Sequence, residues 1–246
     1  ELAGSALLFL AWKGTLGTAT ALKYGVFHSV SAFNNSGFDI FGGFQSLAGY
    51  VSDSRINAVI MALTVIGGLG FIVMNELFSR LRGKQYKLSM HSKVVLTTSA
   101  VLLVIGTIAF YFLESGNSQT LGSLEPIQKA MAAAFHSTVA RSSGFATLNI
   151  GAVSTATLLL LILLMLIGSS PGGTGGGIKT TTAAAAWHAV VSFAKGKNDT
   201  ELFGRRLGSA AIVKALAMIV ASLGVITTAA FIISMLERLP LEKIVF

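Results

Sequence analysis

The sequence has no cysteine and is poor in proline and in charged side chains. The absence of cysteine among its 246 residues excludes disulfide bonds, thiolate metal sites and thiol redox chemistry. Only 3 residues are proline and 11% are charged, whereas a soluble domain carries about 25% charged residues. Together with 53% hydrophobic residues, this composition indicates a membrane protein and argues against a cytosolic enzyme.

Basic residues outnumber acidic ones, 18 to 10, but they do not form a nucleic-acid-binding surface. Half of them lie in two short segments between apolar runs: Arg80, Arg82, Lys84, Lys87 and Lys93, then Lys195, Lys197, Arg205 and Arg206. Such clusters are typical of cytoplasmic loops in membrane proteins. We therefore expect a protein that crosses the membrane several times, binds no nucleic acid and presents both basic loops to the cytoplasm.

Three runs are long and apolar enough to form spanning helices: Ile56–Phe78, Val94–Leu113 and Ala210–Leu236. A fourth run, Ser154–Ile167, ends in a glycine-rich stretch before helical sequence resumes over Ile178–Phe193. Non-helical backbone at membrane depth is tolerated only where it is buried in protein or lines a wet cavity. The sequence therefore predicts a broken helix whose break has a function.

Two further segments, Leu22–Phe33 and Ile127–Arg141, are too short to cross a membrane and are predicted to be re-entrant helices. Their sequences are related, because Phe27–Phe38 matches Phe135–Phe145 after a one-residue gap, with Phe-His-Ser and Ser-Gly-Phe in both. The chain thus contains an internal repeat of about one hundred residues, longer than a solenoid repeat.

Such a repeat is suited to dehydrating a cation. A short helix that enters from outside points its partially negative C-terminus at the membrane interior, which favours a cation there. The strand that follows can offer backbone carbonyl groups in place of water. Gly37 and Gly144 are the candidates for the backbone angles that such a strand requires.

These segments resemble the Trk/Ktr/HKT superfamily of potassium transporters, and among them the membrane (pore) subunit of the bacterial Trk/Ktr type. The resemblance rests on residues 27–38 as the second pore loop, 135–145 as the third, and 168–180 as the intramembrane gating loop. It covers essentially the whole chain. It implies an all-α membrane protein with repeated helix–pore loop–helix units related to potassium-channel pores, which takes up potassium and is not an enzyme.

The resemblance also assigns residues. The selectivity filter that binds K⁺ maps to Asn35, Ser36, Gly37, Ser142, Ser143 and Gly144. The gate maps to Gly168, Pro171, Gly172, Gly173, Gly175, Gly176, Gly177 and Lys179.

It further implies three parts of the chain: 1–80, with the end of an outer helix, the pore loop and the inner helix of repeat 2; 81–200, with repeat 3 and its broken inner helix; and 201–246, the first helix of repeat 4. Since the sequence begins with Glu1 and stops at Phe246 as if entering a new element, we expect it to be truncated at both ends.

The expected partners follow from the same resemblance. The transported ion is expected to be K⁺, and coupling to Na⁺ or H⁺ is left open. The protein partners are expected to be a second copy in a homodimer and a cytoplasmic nucleotide-binding regulatory ring that docks near the basic loops. Those loops could equally meet anionic membrane lipid. The expected location is the cell inner membrane, as a multi-pass protein.

Alternatives remain for the function and for single residues. Broken helices also occur in secondary transporters of other small solutes or ions, and the glycine-rich stretch could be a hinge without an ionic role. Arg141 could support the filter by donating to carbonyl groups behind it, which we favour, or weaken ion affinity by repulsion. Lys179 could obstruct cations or extend to the cytoplasmic interface. His28 and His136 are interpreted as buried helix contacts rather than metal ligands.

Overall fold

The computed structural model describes residues 1–43, 45–83, 87–197 and 199–246, so that Lys84 of the first basic loop lies outside the described residues. The protein is predominantly α-helical, as predicted. Its helices are α1 (Leu2–Leu16), α2 (Thr18–Phe33), α3 (Ser54–Leu69), α4 (Phe71–Leu81), α5 (Met90–Glu114), α6 (Pro126–Val139), α7 (Thr155–Leu166), α8 (Thr180–Ala194), α9 (Ser209–Leu236) and α10 (Leu241–Val245). A small antiparallel hairpin, β1 (Glu201–Leu202) and β2 (Arg205–Arg206), precedes α9.

Two of the predicted spanning helices are confirmed as long, apolar helices. By length and composition, α5 with 25 residues and α9 with 28 residues can each cross a membrane. Among the described residues, α3 and α4 provide a third candidate span only if these two helices, which are bent relative to each other, are taken together as one span. The helical sequence that follows residues 127–141 is interrupted as expected, since α7 ends at Leu166 and α8 begins at Thr180.

The prediction of one continuous helix over Ile56–Phe78 is wrong. The run is divided into α3 and α4, which meet at an angle of 104°. The bend lies at Gly70, whose φ of +89° does not fit a right-handed helix. Hydropathy could not reveal the bend, because the residues on both sides of Gly70 are apolar and no proline interrupts them.

The short helices α2 and α6 are held from behind by apolar side chains. Helix α1 packs along α2 so closely that a Cβ on Gly25 would lie 2.8 Å from the Ser5 carbonyl oxygen. Trp12 of α1 is fully buried and packs edge-on to His28 of α2, with ring centroids 5.1 Å apart. On the other side Phe135 of α6 is buried in the same core. The core therefore fixes both short helices relative to each other.

A buried carboxylate joins α5 to the beginning of α7. Glu114 is fully buried. Its carboxylate accepts hydrogen bonds from the hydroxyl groups of Thr120 and Thr157 at 2.5 Å and from the Ser154 backbone N–H and the Asn117 amide at 2.8 Å. A buried charge is tolerable when it is fully hydrogen-bonded. This cluster fixes the start of α7 and thereby the position of the break that follows it.

Candidate functional site

Two short loops follow the C-terminal ends of α2 and α6, where the sequence repeat ends. Loop 1 comprises residues 34–38 and loop 2 comprises residues 142–145. The Ser36 N–H donates to Ser31 O at 2.9 Å, and the Ser143 and Gly144 N–H groups both donate to Val139 O, at 2.9 and 3.0 Å. Both loops are thus tied to the last turn of the preceding short helix.

The two loops touch each other at Gly37. The φ angles of Gly37 and Gly144 are +69° and +79°, in the left-handed region where glycine is favoured. A Cβ on Gly37 would lie 1.8 Å from the Ser143 carbonyl oxygen, which leaves no room for a side chain. Gly144, in contrast, has no atom within 4 Å of the corresponding position among the described residues. The matching glycines therefore have the same backbone geometry in different surroundings.

The other predicted filter residues differ in exposure. Asn35 and Ser143 are buried, 8% and 1% exposed, and the Ser143 hydroxyl lies 3.4 Å from the Thr64 hydroxyl of α3. Ser36 is exposed and Ser142 is half-buried. Each loop thus buries one polar side chain, Asn35 in loop 1 and Ser143 in loop 2.

The glycine-rich loop, residues 168–179, closes on itself between α7 and α8. The Gly168 N–H donates to Ile178 O and the Ser169 N–H to Gly176 O, both at 3.1 Å. The Lys179 ammonium group donates to Gly175 O at 2.7 Å. Lys179, half-buried, therefore points back into its own loop.

The remaining predicted gate residues lie in the same loop. A Cβ on Gly168 would lie 1.8 Å from Gly176 O, so the two sides of the loop are in backbone contact. Gly177 packs against Gly168, with 2.9 Å between its Cβ position and the Gly168 nitrogen. A Cβ on Gly175 would lie 2.0 Å from the Ser142 hydroxyl oxygen. The glycine-rich loop therefore lies directly against loop 2.

The glycine-rich loop also docks on the C-terminal end of α3. The last carbonyl groups of a helix lack partners within the helix. Here Gly68 O accepts from the Ser170 N–H at 2.9 Å, and Gly67 O accepts from the Thr174 N–H at 3.2 Å. The loop thus completes the hydrogen bonding of the helix end.

The bend at Gly70 makes room for this contact. A Cβ on Gly70 would lie 2.4 Å from Pro171 O, and one on Gly173 would lie 2.6 Å from Gly68 O. The Phe71 N–H, at the start of α4, donates to Gly172 O at 3.2 Å. The two glycine clusters of the repeat, 67–70 and 172–175, are therefore the two sides of one backbone contact.

A side-chain hydrogen-bond chain links loop 1 to the glycine-rich loop. The Asn35 amide nitrogen donates to the Thr174 hydroxyl oxygen at 2.8 Å and lies 3.3 Å from Thr64 O. The Thr174 hydroxyl donates to Phe33 O, at the end of α2, at 2.9 Å. We call this set of bonds the Asn35–Thr174 clasp. Sequence reasoning missed Thr64 and Thr174, because nothing local marks a contact across 139 residues.

Arg141 contacts the glycine-rich loop. A terminal guanidinium nitrogen donates to Gly168 O at 3.0 Å and lies 3.5 Å from the Ser99 hydroxyl of α5. Its Nε is buried and has no hydrogen-bond partner in the part of the chain that the structure describes. Arg141 thus connects the end of α6 with the start of the glycine-rich loop.

The two repeated histidines have separate, buried surroundings. His28 Nδ1 lies 2.8 Å from Tyr24 O, and His136 Nε2 lies 3.3 Å from the Thr147 hydroxyl while its ring stacks on Phe110 at 5.2 Å. Over residues 1–43, 45–83, 87–197 and 199–246, no group of three or more His, Cys, Asp or Glu could hold a metal ion. Both histidines act as helix contacts in this arrangement.

Comparison with known proteins gives related sequences and a related structure. The family described as "TrkH: Cation transport protein" matches residues 8–244. The chain is 36% identical over 246 residues to Ktr system potassium uptake protein B of Vibrio alginolyticus and 34% identical to its counterpart in Bacillus subtilis, covering 100% of this chain and 54% of each relative. It is 34% identical over 240 residues to potassium/sodium uptake protein NtpJ of Enterococcus hirae, covering 98% of this chain and 52% of that protein.

The crystal structure of the potassium transporter TrkH from Vibrio parahaemolyticus is similar in fold. It superimposes with a TM-score of 0.71 at 17% sequence identity, over 94% of this chain and 48% of that chain. At this identity the likeness shows the fold alone. The chain spans about half the length of the curated relatives it matches.

Three findings agree with the resemblance drawn from the pore-loop segments: the family match over residues 8–244, the Ktr-type relatives and the shared fold. They also agree with the expectation of a membrane transporter rather than an enzyme. The chain belongs to the TrkH family of cation transport proteins.

Proposed function

We propose that the chain is part of a subunit that takes up potassium across the cell membrane. The observation that carries the proposal is the meeting of three segments: loops 1 and 2 touch at Gly37, and the glycine-rich loop packs against both. The names of the relatives, potassium uptake protein B in two bacteria, support the same ion.

Loops 1 and 2 form two parts of the selectivity filter in this proposal. Both follow the C-terminal ends of short helices, where the partial negative charge of the helix favours a cation. Their glycines allow backbone carbonyl groups to turn toward one axis and replace the hydration shell of K⁺. The residues are those that the resemblance assigns: Asn35, Ser36, Gly37, Ser142, Ser143 and Gly144.

The glycine-rich loop is the gate of this pathway. Its closed position is supported by backbone hydrogen bonds to Gly67 and Gly68 and by the Asn35–Thr174 clasp. Because the contacts are a few hydrogen bonds, each contributing about 0.5–1.5 kcal/mol, the loop can leave its position at moderate cost. Transport requires such a movement.

Arg141 and Lys179 hold the gate in this scheme. The bond from Arg141 to Gly168 O supports a role in positioning the gate. The expected bonds from Arg141 to filter carbonyl groups are not found among the described residues, where its other partner is Ser99. The bond from Lys179 to Gly175 O stabilises the closed loop from within. Replacing Lys179 with glutamine is expected to raise potassium flux, and an unchanged flux in an expressed variant would remove Lys179 from the gate.

The proposal includes the organisation and partners of the whole protein. Residues 1–80, 81–200 and 201–246 belong to three successive repeats of a multi-pass protein of the cell inner membrane. The protein forms a homodimer in lipid, and a cytoplasmic nucleotide-binding ring regulates it near the basic loops. Two relatives are named as parts of a Ktr system, which supports the presence of further subunits. A third is named potassium/sodium uptake protein NtpJ, so Na⁺ is the coupling ion to examine before H⁺.

Potassium uptake in cells that lack their own uptake systems tests the proposal. The complete reading frame that encodes this chain is expected to restore growth at low potassium. The variant Gly144→Ser should reduce the preference for K⁺ over Na⁺, because a side chain strains the backbone at a φ of +79°. If the wild type reaches the membrane without restoring uptake, or if the variant keeps full selectivity, the filter assignment fails.

A further inference from the structure

A cavity of about 330 Å³ lies between the two repeats, behind the candidate filter and gate. It is bounded by α3, α5, the end of α6 and the start of the glycine-rich loop. Its lining includes Leu96, Ala100, Leu103 and Val104 of α5, together with Arg141 and the candidate filter residue Ser142. The volume is at the lower end of the range for small-molecule sites, about 300–1,000 Å³.

The mouth of this cavity lies beside the middle of α5. Ala100 and Val104 line the cavity and are exposed, Val104 by 53%. Both lie near the middle of α5, a helix of 25 residues that is long and apolar enough to cross a membrane. A residue at the middle of such a helix lies within the hydrocarbon layer, which is about 30 Å thick. A ligand that enters here therefore comes from the lipid phase.

The inner end of the cavity carries a cation. Arg141 is the one ionisable residue of the lining, and the ion pairs within the described ranges involve other residues, Asp53 with Arg55 and Asp199 with Arg206. Its guanidinium group has five N–H donors. Those of one terminal nitrogen have partners, Gly168 O at 3.0 Å and the Ser99 hydroxyl at 3.5 Å, while the buried Nε has none among the described residues. An ionised side chain at membrane depth is costly unless it is paired or hydrated.

We propose that this cavity binds an amphiphilic carboxylate from the bilayer, a medium-chain fatty acid. The carboxylate accepts hydrogen bonds from the free guanidinium donors of Arg141, the geometry in which arginine binds carboxylates most strongly. The acyl chain lies along Leu96, Leu103 and Val104 toward the lipid. The proposal explains both the apolar mouth and the unpaired cation at the inner end.

A ligand bound in the cavity would affect the glycine-rich loop through Arg141. The same guanidinium group donates to Gly168 O, the first carbonyl of that loop. A carboxylate at Arg141 would compete for this group and alter how firmly the loop is held. The site itself, however, follows from the shape and charge of the cavity and does not depend on the proposed transport function.

Photolabelling tests the site. The complete protein is placed in nanodiscs of neutral phosphatidylcholine with dodecanoic acid that carries a diazirine, and the labelled peptides are mapped by mass spectrometry. We expect labelling of α5 near residues 96–104. Unlabelled dodecanoate should compete at least tenfold better than dodecan-1-ol, because the alcohol lacks the charge that Arg141 recognises.

Two matched variants separate the cavity from the rest of the lipid-facing surface. Ala100→Phe fills the mouth and should reduce labelling at least tenfold, whereas Val101→Phe, on an exposed residue outside the lining, should not. Equal competition by the alcohol, unchanged labelling of Ala100→Phe, or labelling confined to other helices would overturn the proposal. Loss of potassium uptake with retained labelling would count against the proposed function alone.

Discussion

Gly37 and Gly144 occupy matching positions in the sequence repeat, but the structure leaves different amounts of space for a side chain at the two positions. Both have a positive φ, which costs a residue with a side chain about 1–2 kcal/mol. Only at Gly37 would a side chain also collide with the neighbouring loop, 1.8 Å from the Ser143 carbonyl oxygen. The sequence repeat predicted the shared backbone geometry, whereas the collision depends on a partner about one hundred residues away.

This difference predicts unequal effects of the same substitution. Gly37→Ala should abolish uptake at normal expression, because loops 1 and 2 can no longer meet. Gly144→Ala should keep measurable uptake with weaker discrimination against Na⁺, because only backbone strain is added. Parallel measurements of K⁺ and Na⁺ uptake check this. Equal loss of uptake in both variants would contradict the contact at Gly37.

The Asn35–Thr174 clasp gives a second prediction for single residues. Thr174→Val removes the hydroxyl that accepts from Asn35 and donates to Phe33 O, while it keeps the volume of the side chain. The loop should then be held less firmly, so we expect a severalfold increase in potassium flux in proteoliposomes. Thr174→Ser, which keeps the hydroxyl, should restore the wild-type flux.

Thr97→Val is the control for this prediction, since Thr97 is an exposed threonine of α5. Its flux should equal that of the wild type. A Thr174→Val protein whose flux is also unchanged would show that the clasp does not restrain the loop.

Among the elements, the bend between α3 and α4 was the least predictable. Hydropathy and length predicted α5 and α9, and the sequence repeat predicted the short helices α2 and α6 with the loops after them. The bend escaped prediction because its cause is not local: Gly70 turns where Pro171 and Gly172 approach. The glycine clusters 67–70 and 172–175 were visible in the sequence, but their mutual contact was not.

Gly70→Ala should therefore disturb the gate rather than the helix alone. A methyl group at residue 70 would lie 2.4 Å from Pro171 O and would be strained at a φ of +89°. We expect a destabilisation of about 1–2 kcal/mol or more, seen as a lower thermal unfolding temperature, together with increased potassium leak. Gly224→Ala in α9, where a Cβ meets open space among the described residues, should show neither effect.

A Gly70→Ala protein with the stability and leak of the wild type would contradict the docking of the glycine-rich loop at the bend. A protein that is less stable but not leaky would restrict the role of Gly70 to folding.

At the scale of the whole molecule, the fold brings together segments that are far apart in the sequence. Loop 1, loop 2, the end of α3 and the glycine-rich loop meet at one place, and α1, α2 and α6 support them from behind. The chain spans about half the length of the curated relatives it matches, so transport is tested in the complete reading frame. The central claim is that the glycine-rich loop must leave α3 before potassium can pass.

A reversible crosslink between α3 and the glycine-rich loop tests this claim most directly. A Cβ on Gly68 would lie 3.7 Å from the Ser169 Cβ, close to the mean of about 3.8 Å in disulfides. The chain has no cysteine of its own, so the pair Gly68→Cys and Ser169→Cys introduces a single new bridge into it. We predict at least tenfold lower potassium uptake after oxidation, full recovery after reduction, and no redox effect in either single variant. Undiminished uptake while mass spectrometry shows the disulfide formed would contradict the account.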